Sequence, residues 1–76
     1  MAMEVYNAQI EQDGRVRAVF EYRALDREAA FRVADDILHA HLWAEAVQLH
    51  QGGYEDDLPW VTLVATWHKV GLNEPA

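Results

Sequence analysis

Cysteine is absent, and with it go disulfide staples, thiolate metal sites and thiol nucleophiles. That composition suits a reducing compartment. Lysine occurs once, and the six basic residues face thirteen acids, which argues against a surface that follows a nucleic-acid backbone. No apolar run is long enough to cross a bilayer, and Met1-Ala2-Met3-Glu4 lacks the basic start of a secretory signal. The chain is therefore expected to be soluble and cytoplasmic. Five arginines to one lysine, with twelve alanines, point by codon usage to a GC-rich bacterium or its phage. With four glycines and two prolines, the breakers concentrate at a few places, and only Tyr54 to Pro59 reads as a loop of any length.

What is present is a small core and a skewed charge. Of 76 residues 51% are hydrophobic, including three Trp, three Tyr and two Phe, enough to fold one domain but with a thin margin of stability. Residues 1–70 are read as that domain and 71–76 as a loose tail. From residue 35 onward, Asp35, Asp36, Glu45, Glu55, Asp56, Asp57 and Glu74 stand against Lys69 alone, whereas residues 1–34 are nearly balanced, with six acids and five arginines. A field of one sign on one region speaks to partners rather than to fold. It favours a surface that meets cations.

The hydrophobic pattern predicts strand, strand, helix, strand, strand: an α+β fold of ββαββ order, with one helix packed on one face of a small antiparallel sheet. Tyr6, Ala8 and Ile10 alternate with polar neighbours, as do Val16, Ala18, Phe20 and Tyr22. A two-residue Asp13-Gly14 turn would set Ile10 opposite Arg17 and put the two apolar sets on opposite faces. A three-residue loop is therefore expected, pairing Ile10 with Val16, Ala8 with Ala18 and Tyr6 with Phe20. Asp26 is placed as the cap of a helix from about Arg27 to His41, with Leu25 packing on Ala30, with Ala30, Val33, Ala34, Ile37, Leu38 and His41 on the packed side and Phe31 on its margin, and with Arg32, Asp35, Asp36 and His39 mostly toward solvent. Glu45 to His50 alternates as a strand, though its alanines also allow helix. The last strand, around Val61 to His68, is expected to turn Val61, Leu63 and Trp67 to the helix and to leave Trp60, Val64 and Val19 on the open face as an apolar patch.

No enzyme is read from these residues. His39 and His41 are two apart and diverge on a helix, Asp35 and His39 are an ordinary i, i+4 pair, and His50 and His68, expected to face each other from adjacent strands, supply only two ligands. Glu55-Asp56-Asp57 lacks the alternating oxygens of an EF-hand, so no metal or cofactor is expected. Those three acids read either as a solvated loop or, with Asp35, Asp36 and Glu45, as one carboxylate field.

The run from Val16 to Lys69, with its strand, its capped helix opening Leu25-Asp26-Arg27-Glu28-Ala29-Ala30 and its closing strand Trp60 to Trp67, resembles the small phage-borne anti-CRISPR proteins that act on type I CRISPR surveillance complexes. The likeness is one of size and architecture, without a shared motif. It implies inhibition by binding, either by occupying the basic nucleic-acid-binding surface of a Cascade-like complex with acidic groups or by blocking a subunit contact. The acids agree with the first route, and Trp60 on the open sheet face is placed with them among the partner-binding residues. No contact with nucleic acid itself is implied, and the protein would act as a monomer or homodimer. The alternative is an interaction or homodimerisation module of a larger bacterial assembly, using the open sheet face.

Overall fold

The computed structural model describes residues 3–52 and 62–69. Four strands and one helix follow in the expected order: β1 (Glu4–Gln12), β2 (Arg15–Ala24), α1 (Arg27–Ala40), β3 (Ala46–Gln51) and β4 (Thr62–His68). The sheet is antiparallel throughout, in spatial order β2-β1-β3-β4. Since β1 runs antiparallel to both neighbours, β2 and β3 are parallel to each other, and such a pair needs a crossover, which α1 supplies. The core lies between that helix and one sheet face, where Tyr6, Ala8, Ile10, Val47 and Leu49 meet Ala30, Ala34 and Leu38.

The first hairpin corrects the expected register. Asp13 and Gly14 both have positive φ, 54° and 74°, and Gln12 pairs with Arg15 across them, so the turn has two residues rather than three. Asp-Gly suits that turn because both central residues must be left-handed, and its twist matches the flanking strands. Glu11 then pairs with Val16, but a bulge follows, and Ile10 pairs with Ala18, Ala8 with Phe20 and Tyr6 with Tyr22. One extra residue, Arg17, flips the phase of β2 and returns Ala18, Phe20 and Tyr22 to the helix side, while Val16, expected opposite Ile10, stays on the other face with Glu11 and is exposed. Turn chemistry won locally, and burial was recovered one step later. A Cβ at Gly14 would touch nothing within 4 Å, so a substitution there reports backbone strain alone. Gly14→Val is expected to cost about 1 kcal/mol or more, seen as a melting point lower by roughly 4–8 °C.

The helix is built as its cap predicts. Asp26 is extended and its Oδ1 accepts the Ala29 amide at 2.8 Å, with Glu28 in the first turn at the positive end of the dipole. At the other end His39 Nδ1 donates to the Asp35 carbonyl and His41 Nδ1 to the Ile37 carbonyl, each at 2.8 Å, and the second of these satisfies one of the last four carbonyls of the helix. The buried stripe is narrower than the periodicity predicts. Ala30, Ala34 and Leu38 are buried and Ile37 packs at their side, but Val33 is exposed, and Leu25 is half exposed instead of capping the core over Ala30. The cause is the alanines: small side chains let the helix ride close to the sheet, so only one row fits beneath it. Tyr22 ties the helix to the edge strand by donating its hydroxyl to the Ala30 carbonyl, and burial pushes that phenol up to about 12.

Residues 46–51 form a strand, as the alternation of Val47 and Leu49 indicates. A second bulge lies between β3 and β4: Leu49 pairs with Ala65, His50 with Leu63, and Val64 between them has no opposite number. This reverses the expected faces of two residues. Leu63 shares His50's side of the sheet, away from the helix, and is 53% exposed, whereas Val64 packs against the core. Ala65 and Trp67 keep the helix side. His68 pairs with Ala46, so His50 and His68 do not face each other. Val61 and Trp60 lie outside the described residues, as does the tail.

Candidate functional site

Three of the seven predicted site residues can be placed, and they differ in what holds them. Asp35 sits in the middle of α1, and helical spacing puts it one turn from Phe31 and one turn from His39. Across from it on β4, Trp67 donates its indole N–H to Asp35 Oδ1 at 3.0 Å and stacks on Phe31 with ring centroids 4.1 Å apart. His39 Nδ1 lies 3.5 Å from the same oxygen. The Asp35 side chain nevertheless keeps 39% of its surface in solvent, so its charge is displayed from a fixed position. Asp36 is exposed and makes no ion pair among the described residues.

Glu45 plays a structural part as well as an electrostatic one. It precedes β3, where its amide donates to the Glu11 carbonyl at 2.9 Å and its own carbonyl accepts the Lys69 amide at 2.8 Å. Its side chain turns to the first hairpin and accepts the Asp13 amide at 2.6 Å. The carboxylate thus satisfies a backbone donor of the tight turn while remaining on the surface. Lys69, the one lysine, donates to the His41 carbonyl at 2.7 Å. Glu55, Asp56, Asp57 and Trp60 lie outside the described residues.

The open face of the sheet is polar along its middle. Strand alternation sets Asn7, Gln9 and Glu11 on β1 beside Gln48 and His50 on β3. Asn7 is fully buried: its Nδ2 donates to the Gly52 carbonyl at 2.9 Å and its Oδ1 accepts Gln9 Nε2 at 3.1 Å. Gln48 Nε2 donates to Glu11 Oε2. His50 Nδ1 is buried without a partner among the described residues, and desolvation lowers the ring's pKa from its ordinary value, with the Gln48 backbone acting more weakly in the opposite sense. Among the described residues no three His, Asp or Glu side chains gather as a metal site. Nor is any helix there long and apolar enough to cross a membrane.

Sequence reasoning located the acids and the Asp35–His39 spacing, but missed the Trp67 bond and the Phe31 stack. Both depend on which way β4 faces at residue 67, and that follows from pairing across strands far apart in sequence. The only available signal was the alternation of Trp67 with Thr66 and His68, which gave Trp67 the helix side without naming its partner. Comparison with protein-family models, with curated protein sequences and with solved structures finds no match.

Proposed function

We propose that this protein is a non-enzymatic inhibitor that sets a carboxylate surface against the basic nucleic-acid-binding groove of a protein partner and so blocks target DNA. The partner implied by the architectural resemblance is a type I CRISPR surveillance complex. The observation that carries the reading is the segregation of charge, six net negative charges over residues 35–76 against one over residues 1–34. The anchoring of Asp35 beside exposed Asp36 supports it, because carboxylates fixed before binding lose less entropy on association. Each exposed ion pair is worth only about 0 to 1 kcal/mol, so affinity and rapid encounter require several acting together.

The test is competition with target DNA by a variant in which Asp35, Asp36, Asp56 and Asp57 become Asn and Glu55 becomes Gln. Glu45 is spared because its carboxylate holds the Asp13 amide. Competition is expected to disappear in the full variant and to fall in steps as acids are removed, while the fold persists. Wild-type binding should weaken steeply as salt rises, since charges are screened over about 8 Å near physiological ionic strength. Full inhibition by the neutralised protein would refute the reading. Binding indifferent to salt would move the contact to the open sheet face, where Leu63 rather than Val64 supplies the exposed apolar surface.

A further inference from the structure

Phe31, Asp35 and Trp67 form a more specific feature than a charged surface. The helix places Phe31 and Asp35 one turn apart, and Trp67 contacts both, ring against ring and indole N–H against carboxylate. Phe31 remains 42% exposed. Trp67 and His39 both approach Oδ1 of Asp35, and no described residue donates to Oδ2. Nor does any described arginine or lysine form an ion pair with Asp35; of the six, Arg17 reaches Gln12, Arg27 reaches Gln51, Arg32 reaches Glu28 and Lys69 reaches the His41 carbonyl. An aromatic surface thus lies beside a carboxylate oxygen held in place and, among the described residues, without a donor.

We infer that Phe31, Trp67 and Asp35 form a receptor for one arginine side chain of the partner, its guanidinium stacked on the open face of Phe31 and donating to Asp35 Oδ2. The planar guanidinium satisfies both demands at once: it stacks on aromatic faces and donates in its own plane, where a lysine ammonium is a strongly hydrated point charge. The identity of the partner rests on the function proposed above, whereas the arginine receptor is a property of this chain alone and is tested without the partner.

The test is a titration of the ¹⁵N-labelled full chain with N-acetylarginine amide, following the Trp67 indole N–H, assigned through Trp43→Phe and Trp60→Phe variants. Arginine is expected to move that resonance saturably, and the uncharged citrulline analogue of the same shape is expected to leave it in place. Asp35→Asn keeps an acceptor for the indole, so the fold should hold, yet binding should weaken by roughly threefold to tenfold. Asp36→Asn removes the same charge one residue away and should change little. Equal responses to arginine and citrulline, or equal losses in the two Asn variants, would overturn the receptor. Saturable arginine binding by a protein that fails to compete with DNA would instead sink the proposed inhibition and leave the receptor standing.

Discussion

Leu38→Ala is expected to destabilise the protein by about 2 to 5 kcal/mol, enough to leave it partly unfolded at 37 °C. A domain of 76 residues has a total stability on the order of 4 to 11 kcal/mol, so this single truncation removes a large share of it. The effect should be large because Leu38 is the one large side chain among the helix residues buried against the sheet; Ala30 and Ala34 have nothing to swell into its place. Val33→Ala provides the contrast. Val33 is exposed on the same helix and should cost well under 1 kcal/mol by the same chemical-denaturation measurement. Similar losses in both would mean that the packed side of α1 is not the one described above.

Asn7→Asp is expected to cost about 3 kcal/mol or more at neutral pH and much less in acid. The substitution is nearly isosteric, but the Nδ2 donor that meets the Gly52 carbonyl becomes an oxygen, so two acceptors face each other at a fully buried site. Burial and the carbonyl together hold the new carboxyl protonated in the folded state to a pH above its unfolded value near ~3.9. Between those two pKa values the folded state binds more protons than the unfolded one, so stability relative to wild type falls as pH rises and is regained as pH drops. Urea midpoints of both proteins from pH 7 down to pH 4 should therefore converge. A gap that stays constant with pH would show that the loss arises from packing instead of charge.

The helix was legible in the sequence because its determinants are local. Asp26 caps it through an amide three residues away, and Ala30, Ala34 and Leu38 recur at the spacing of one helical face. The third strand was legible through Val47 and Leu49, whose alternation outweighed the helical preference of its alanines. Strand faces were harder to read, because alternation gives a period of two but not the phase of one strand against another. A single unpaired residue reverses that phase. At Arg17 the reversal reconciled a two-residue turn with a common apolar face, and at Val64 it exchanged the expected positions of Val64 and Leu63.

By itself the sequence determined the α+β class, the order of the five elements, the capped start of the helix and the concentration of acids beyond residue 34, all of which depend on composition or on neighbours within a turn or a strand. Only the tertiary structure decided that β1 and β3 lie at the centre of the sheet, that Glu45 serves the Asp13 amide and that Trp67 joins Phe31 to Asp35. These contacts span 32 residues or more and depend on where two bulges fall, which is set by the burial of the whole core at once and not by any local stretch of chain.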